Sequence, residues 1–226
     1  MAIQKNQNST QAIPELLYHV RLTIVGDHAD ERSTTRSVVP LGTFGSLEAA
    51  KANAKVALKN LNFQRGDFEE YSTRLASDES WSHGNGVLIF ARAPAGQVFE
   101  IGIDMNSNPE RLPLGADSGV ILPEGSTVLH YLMQTTNDYN VDRSRSQQRT
   151  DIAGVYVHRG DAWAAARKSL DREQFVEYDI RDTEDMVAQW PYGEDTAVHA
   201  VSDNGHNYTV SVKTVPGAHK AHHKKR

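Results

Sequence analysis

The chain has 226 residues, no cysteine and a formal net charge of −5 at pH 7. The missing cysteine excludes disulfides, thiolate nucleophiles and cysteine metal ligands, and an acidic chain does not favour a surface that follows nucleic-acid phosphates. No apolar run approaches the ~20 residues that a membrane-spanning helix needs, and the N-terminus has no apolar signal core. We therefore expect a cytoplasmic protein with no cofactor, no metal site and no membrane segment.

The pattern of the first half of the chain returns in the second half. Aromatic, glycine and tryptophan positions recur in the same order, with only a few short gaps. A repeat of this length indicates two fused copies of one folding unit. The predicted division is a disordered N-terminus at 1–15, repeat copy 1 at 16–104, a linker at 105–126, repeat copy 2 at 127–215 and a basic tail at 216–226.

Each copy is predicted to be a β-β-α-β-β-β unit. Aromatic and β-branched residues at 18–25 and at 129–136 indicate the first strand of each copy. Ser46 is a candidate N-cap before an alanine-rich stretch, and Asp161 is the candidate in the second copy. So much alanine predicts a helix that packs closely against a sheet.

Two glycines predict a hairpin before the last strand of each copy. Gly96 and Gly205 each lie between two short apolar runs, where a tight turn is required. In the strand after Gly96, Glu100 alternates with Phe99 and Ile101, which gives one wet face and one core face. We therefore predict an α+β fold with antiparallel sheets, one main helix per copy and a pseudo-two-fold axis.

The linker at 105–126 is rich in Asn, Pro, Gly and Ser, which is typical of a connection between units. Its apolar stretch at 119–122 is expected to pack on the protein rather than extend into solvent. Two packed copies bury the same patch from each partner. The groove between the copies is therefore the predicted place for a ligand.

Histidines supply the first candidate site. Alignment of the two halves places His19 on His130 in the first strand of each copy. Histidine acts as an acid, a base or a metal ligand near neutral pH. The alternative is a structural histidine with satisfied hydrogen bonds, and no third ligand at a recognisable spacing supports zinc.

The third strand of each copy supplies a second candidate site. Glutamate and arginine at alternating positions are predicted to share one face of this strand, with a tyrosine beside each glutamate. Such groups bind a carboxylate or position an acid, and the alternative is cross-strand ion pairing on a solvated face. The candidates are Glu70, Tyr71 and Arg74 in copy 1 and Glu177, Tyr178 and Arg181 in copy 2.

Aromatic residues beside glycine loops supply a third candidate site. They are Trp81 and His83 in copy 1 and Trp190 and Tyr192 in copy 2. Such residues combine apolar area with a polar group, as ligand pockets require. The alternative is simple packing between the third and fourth strands.

Two basic segments complete the candidates. Arg143 and Arg145 lie between the first two strands of copy 2, where the matching loop of copy 1 is more acidic. Because specificity often lies on loops, this divergence points to a binding surface, and ordinary loop drift is the alternative. The tail at 217–226 is predicted to be solvated; binding of nucleic acid, of metal ions or of a nuclear import receptor is its alternative.

From these observations we expect a non-catalytic binding or interaction module, monomeric or homodimeric. It would recognise a protein or a small molecule at the interface and loops of the two copies. The alternative is a cofactor-independent isomerase, cyclase or hydrolase that uses the histidines, glutamates and tyrosines named above as acid and base. That alternative needs these groups to converge in a pocket within hydrogen-bond reach. Nucleic-acid binding would rest only on the tail and on Arg143 and Arg145.

Overall fold

A computed structural model of the protein describes residues 12–26, 35–74, 81–138, 148–182 and 190–216. This part of the chain forms two five-stranded antiparallel sheets and two α-helices. The predicted α+β class and the antiparallel sheets are confirmed.

The first half of the chain forms one sheet and one helix. Its elements, in chain order, are β1 (Leu16–Gly26), β2 (Thr35–Phe44), α1 (Leu47–Asn60), β3 (Glu70–Thr73), β4 (Val87–Arg92) and β5 (Val98–Ser107). The strands lie in the order β2-β1-β5-β4-β3.

The second half has the same kinds of element in the same order. They are β6 (Val128–Asp138), β7 (Arg149–Tyr156), α2 (Arg159–Ala166), β8 (Glu177–Ile180), β9 (Thr196–Val201) and β10 (His206–Pro216). The strands lie in the order β7-β6-β10-β9-β8. The hairpin glycines are confirmed, since Gly96 and Gly205 have φ values of 87° and 82°, which side chains other than glycine rarely adopt.

The helix α1 begins where its sequence predicts. The Ser46 hydroxyl accepts a hydrogen bond from the Ala49 N–H at 3.3 Å, which caps one of the free N–H groups of the first turn. The buried side of the helix consists mainly of alanine, so its backbone lies close to the sheet. Its buried residues are Ala50, Ala54, Ala57 and Leu58.

The start of α2 differs from its prediction. The cap position is His158 rather than Asp161, so the helix begins three residues earlier than predicted. Asp161 lies in the first turn instead, where its negative charge interacts favourably with the helix dipole. Acidic residues are favoured both at the cap and in the first turn, so the sequence alone did not show which of the two positions Asp161 occupies.

Each sheet packs one face against its own helix. Under α1 the buried residues of the first sheet are Val20, Leu22, Ile89, Ala91, Phe99 and Ile101. Under α2 the buried residues of the second sheet are Leu132, Ala197, Val198, Val210 and Val212. We call the other side of each sheet its open face.

The two open faces meet at one end and enclose a third core. Side chains of both sheets contribute to it, together with two residues of the connection between the halves. Its members are Leu17, Val38, Leu112, Val120, Leu129, Tyr131, Met133, Ile152, Val155 and Val157. Because this core joins the halves, the open faces hold a fixed position relative to each other, and farther along the strands they line two clefts.

The connection between the halves is shorter than the predicted linker, because β5 continues to Ser107. Val120 within it is buried, as the apolar stretch predicts. Residues 12–15 lie against this connection, where the Leu114 N–H donates to the Ala12 carbonyl at 3.0 Å, and the disorder predicted for the N-terminus stays a prediction. These residues satisfy backbone groups of the connection, which the polar composition of the N-terminus did not reveal.

The registers of the two sheets define corresponding positions. The pairing of β1 with β2 shifts after Val20, and the pairing of β6 with β7 shifts after Leu132. In both sheets a glycine lies opposite the residue before the shift, namely Gly42 and Gly154. Counting from these points matches each residue of β1 with one residue of β6.

By this count the predicted match of His19 with His130 is wrong by one residue. His19 corresponds to Tyr131, and His130 corresponds to Tyr18. Since neighbouring residues in a strand point to opposite faces, His19 lies on the open face and His130 lies on the helix side of its sheet. The alignment matched the two histidines because they are identical residues. Gly42 and Gly154 instead give the correct correspondence between the two strands.

Candidate functional site

A cleft of about 460 Å³ opens between the open face of the first sheet and the start of β7. We call it the charged cleft. The charged side chains that line it are Arg21, Arg36, Glu100, Asp104, Arg149 and Asp151. Their formal charges cancel, so the cleft offers both signs of charge within one small volume.

Asp104 links the two halves of the molecule at this cleft. Its carboxylate accepts from Arg21 Nε at 3.0 Å and from the backbone N–H of Ile152 at 2.9 Å. A side chain at Gly102 would lie only 3.2 Å from the Arg21 guanidinium carbon and 2.9 Å from the Gly86 carbonyl. The absence of a side chain at Gly102 therefore leaves room for Arg21 to lie against β5, next to the loop that contains Gly86.

Arg36 and Glu100 form a second ion pair, with 2.9 Å between Nη2 and Oε2. Their side chains are 21% and 15% exposed. At that depth the pair is partly desolvated, so removing one partner leaves the other charge poorly solvated. The pair therefore presents a carboxylate and a guanidinium side by side on the cleft wall.

His83 forms the rim of the charged cleft through a stack of rings. It lies on Phe90 with centroids 4.0 Å apart and planes inclined by 14°, while Trp81 meets it edge-on at 4.8 Å. The Trp81 indole donates to the Gly84 carbonyl at 3.0 Å. His83 Nε2 is 3.6 Å from the Glu70 carboxylate. The structure thus brings together three predicted site residues, Trp81, His83 and Glu70.

A cleft of about 290 Å³ lies on the open face of the second sheet. Among the described residues its lining carries amides, hydroxyls and rings but no arginine, lysine or carboxylate, and we call it the neutral cleft. The lining residues are Thr135, Asn137, Gln148, Pro191, Tyr192, His199, Asn207 and Thr209.

The two clefts occupy corresponding places on their sheets. Four pairs of corresponding residues line them: Thr23 and Thr135, Arg36 and Gln148, His83 and Tyr192, and Glu100 and Thr209. The ion pair of the first sheet is therefore replaced by an amide and a hydroxyl in the second.

The ring stack also recurs in the second sheet with its members changed. Tyr192 lies on His199 with centroids 4.0 Å apart, and Trp190 meets Tyr192 edge-on at 5.0 Å. The Tyr192 hydroxyl donates to the Asp179 carboxylate at 2.6 Å. That hydrogen bond, followed by burial, raises the pKa of Tyr192 to about 12. Tyr192 is therefore a neutral donor across the physiological range.

A buried polar chain joins the halves where the open faces meet. The Thr43 hydroxyl is 2.9 Å from the Tyr131 hydroxyl and 2.9 Å from His19 Nδ1. Burial lowers the pKa of His19 to about 4, against the opposing effects of Asn106 and Asp104, and burial raises the pKa of Tyr131 to about 12. Both groups are neutral at pH 7, and His19 lines neither cleft.

The predicted acid–base groups do not converge. His19 is fully buried, His130 is buried with Nδ1 2.7 Å from the Thr214 hydroxyl, and Glu70 lies beside His83. His130 and His19 are also on different faces of their sheets, so neither shares a cavity with the other.

The tyrosines and the second glutamate lie apart from the clefts. Tyr71 packs against the core under α1, and Tyr178 packs against the core under α2 with its hydroxyl donating to the Leu170 carbonyl at 3.2 Å. Glu177 is exposed at the start of β8, opposite Val201. Neither tyrosine lines a cleft that holds a histidine or a glutamate among the described residues.

The predicted pairing of Glu70 with Arg74 and of Glu177 with Arg181 is not observed. The strands end at Thr73 and Ile180, so their alternation does not extend to the arginines. Arg74 lies beside α1, lining a shallow pocket with Glu48 and Lys51. Arg181 is 1% exposed and lies 5.4 Å from the centre of the Trp163 ring of α2, so it belongs to the helix side.

The basic loop lies outside the described residues, and so does the tail at 217–226. The predictions for Arg143 and Arg145 therefore stay predictions.

Sequence reasoning missed most of the charged cleft. Arg21 alternates with buried residues in β1, as Glu100 does in β5, whereas Asp104 lies between the half-buried Ile103 and the exposed Met105. This alternation was the available signal, and it identifies a polar face without showing that the face lines a cleft.

Within the described ranges, no three histidine, aspartate or glutamate side chains are arranged to hold a metal ion. None of the helices found there is long and apolar enough to cross a membrane. No family model matches the chain, and no curated protein and no solved structure shows significant similarity to it.

Proposed function

We propose that the protein is a non-catalytic binding module for a small zwitterionic molecule, one that carries both a carboxylate and an ammonium group. The observation that carries this proposal is the charged cleft, with its balanced set of arginines and carboxylates between the two halves. Free amino acids are the simplest molecules with this chemistry.

The paired charges favour a zwitterion over a simple anion or cation. An anion that approaches Arg36 meets the Glu100 carboxylate 2.9 Å from the guanidinium, and that carboxylate repels it. A zwitterion places its carboxylate on the guanidinium and its ammonium on the carboxylate. Each buried charge then keeps a partner, which avoids the desolvation penalty of an unpaired ion.

The rim provides a second region of contact. His83 faces the cleft from one side, and the exposed pair of Arg149 with Asp151 faces it from the other. These groups sit on different halves of the molecule, so a ligand between them contacts both. Specificity among zwitterions would then depend on the ligand side chain that reaches His83.

We also propose that the halves arose by duplication and are related by a pseudo-two-fold axis. The shared element order, the shared strand order and the matching register shifts after Val20 and Leu132 support this origin. A duplicated scaffold carries two corresponding clefts, which are then free to diverge in chemistry. A cytoplasmic location stays a prediction, as does a nuclear one through the basic tail.

The enzyme alternative has less support. Its histidines, glutamates and tyrosines are distributed over three separate places in the described structure, and the one fully buried histidine has a pKa lowered to about 4 by its burial. General acid–base catalysis needs such groups within reach of one substrate.

Isothermal titration calorimetry with glycine, L-glutamate, L-lysine and L-arginine tests the proposal. We expect at least one of them to bind the wild-type protein. The double variant Arg36→Gln with Glu100→Thr introduces the residues of the corresponding neutral positions and removes both charges together. We expect this variant to fold and to lose binding by roughly ten-fold or more, which corresponds to about 1.4 kcal/mol.

A matched control removes an exposed opposite pair of charges elsewhere. The double variant Lys168→Gln with Glu173→Gln changes the net charge by the same amount and touches neither cleft. It should bind like the wild type. The proposal fails if no amino acid binds the wild-type protein, or if the cleft variant and the control bind equally well.

A further inference from the structure

We propose that the neutral cleft is a second binding site, specific for an uncharged polyhydroxylated molecule of about the size of a monosaccharide. This site adjoins the charged cleft, with which it shares the lining residue Gln148, and it does not depend on the function proposed for that cleft. It is built on the open face of the second sheet.

Two buried polar atoms at this cleft have no hydrogen-bond partner. They are Asn137 Oδ1 and His199 Nδ1. Asn137 is only 6% exposed, and a buried acceptor without a donor is destabilising by about 1–3 kcal/mol in general. Asn137 lines the cleft, and its Oδ1 is closed to solvent in the free protein. A turn of the side chain toward the cleft would let a ligand hydroxyl donate to Oδ1 and satisfy an atom that the fold leaves unsatisfied.

The corresponding positions of the first sheet are apolar. Asn137, Asn207 and His199 take the places of Val25, Val98 and Phe90. The scaffold therefore folds with apolar residues at these three places. Asn137 and His199 each add a buried atom that has no partner among the described residues, which fits recognition better than stability.

The lining chemistry selects the class of ligand. Amides and hydroxyls from Asn207, Gln148 and Thr209 can each donate and accept, as sugar hydroxyls do. No arginine, lysine or carboxylate is present among the described lining residues to pair with a charged group. A volume of about 290 Å³ is at the lower end of the ~300–1,000 Å³ range of ligand pockets, which favours a small molecule.

The ring stack disfavours a flat ligand. Tyr192 and His199 already cover one face of each other at 4.0 Å. A nucleobase needs a free aromatic face on which to stack, whereas a polyol uses the edges of the amides and hydroxyls. The neutral cleft therefore suits a hydroxylated ring better than an aromatic one.

Two-dimensional ¹H–¹⁵N NMR titration of the full chain tests this inference. The probes are D-glucose, D-galactose, D-mannose, N-acetyl-D-glucosamine and myo-inositol, with the free base adenine as the flat comparison. We expect at least one sugar or inositol to shift the amide signals of Asn137, Thr209 and their neighbours. Adenine should leave those signals unchanged.

Matched variants locate the site. Thr209→Val removes one hydroxyl from the cleft without changing the size of the side chain, and Asn137→Val introduces the residue of the corresponding position. Each should weaken binding by about ten-fold or more. Thr136→Val changes the neighbouring residue of Thr135, on the opposite face of β6, and should leave binding unchanged.

The inference is overturned if none of the five probes shifts these signals, if adenine shifts them instead, or if Thr209→Val and Thr136→Val have the same effect. If Asn137→Val does not fold, Thr209→Val alone decides between these outcomes. Loss of amino-acid binding at the charged cleft leaves this result untouched, because Arg36→Gln with Glu100→Thr changes no residue of the neutral cleft.

Discussion

The two open faces of this molecule use one strand arrangement for two different chemistries. On the first sheet, Arg36 and Glu100 form an ion pair, and the corresponding residues of the second sheet are Gln148 and Thr209. The ring stacks occupy the same place in both sheets. The comparison teaches that the strand arrangement fixes where a cleft forms, while a few side chains on the strands decide whether its described lining is charged or neutral.

The largest expected effect concerns the residue that joins the halves at the charged cleft. Asp104→Ala removes the partner of Arg21, whose side chain is only 13% exposed, and it leaves the Ile152 N–H without its acceptor. Breaking a buried ion pair from one side costs about 3–5 kcal/mol in general. Urea unfolding should therefore give a free energy of unfolding lower by about that amount.

The corresponding residue of the second sheet is the control for this change. Lys213 donates to the Val38 carbonyl at 3.1 Å and is half-buried. Lys213→Met loses one hydrogen bond from a charged group, which contributes about 1.5–3 kcal/mol and so less than the loss expected for Asp104→Ala. If Lys213→Met and Asp104→Ala lowered the free energy of unfolding equally, the two links between the halves would be equivalent. That result would contradict the difference that we infer between them.

The pH dependence of stability tests the buried histidine. The pKa of His19 is about 4 in the folded protein, and an unfolded histidine has an ordinary pKa near 6.5. Between these values the unfolded chain binds more protons, so stability falls as the pH falls from 6.5 to 4. A shift of this size corresponds to a loss of ~3 kcal/mol.

The variant His19→Gln isolates this contribution from those of the carboxylates. The free energy of unfolding of the wild type, measured by urea titration at several pH values, should fall more steeply between pH 6.5 and pH 4 than that of the variant. Parallel curves for the two proteins would mean that His19 is not buried in its neutral form.

A smaller effect is expected at the other end of the buried chain. Tyr131→Phe removes the hydroxyl that lies 2.9 Å from Thr43 and keeps the ring against His19. A single neutral hydrogen bond contributes about 1 kcal/mol. A loss above ~3 kcal/mol by thermal unfolding would contradict the assignment, because the ring packing is unchanged.

The smallest effect concerns the pKa of Tyr192 in the ring stack of the second sheet. Asp179→Asn removes the negative charge that holds the Tyr192 proton, so the pKa of Tyr192 should fall from about 12 toward the ordinary value near 10. NMR of ¹³C-labelled tyrosine measures this directly. His83, in the corresponding place of the first sheet, makes a longer contact with a carboxylate, with 3.6 Å between Nε2 and Glu70. An unchanged pKa of Tyr192 in the variant would contradict the difference that we infer between the two ring stacks.

Local rules in the sequence were sufficient for most of the fold. The cap at Ser46, the alanine stripe of α1 and the hairpin glycines depend on residues a few positions apart, and all three are observed. The match of His19 with His130 failed because a register depends on pairing with a second strand. The bulge after Val20, which fixes that register, leaves no mark in the first strand itself.

The clefts were harder to predict because they depend on contacts between the halves. Trp81, His83, Trp190 and Tyr192 were found as aromatic residues beside glycine loops, and they lie in two corresponding stacks. The other residues of the clefts lie on strands that are distant in the sequence. The contact of Asp104 with Ile152 illustrates this distance. No short-range pattern encodes such a contact.

One reciprocal binding experiment tests most directly whether the two clefts have diverged to bind different ligands. It titrates the Arg36→Gln with Glu100→Thr variant and the Thr209→Val variant each with the amino acid and with the sugar that bind the wild type. We predict that the first variant loses only the amino acid and that the second loses only the sugar. Loss of both ligands from either variant, or of neither from both, would contradict the account.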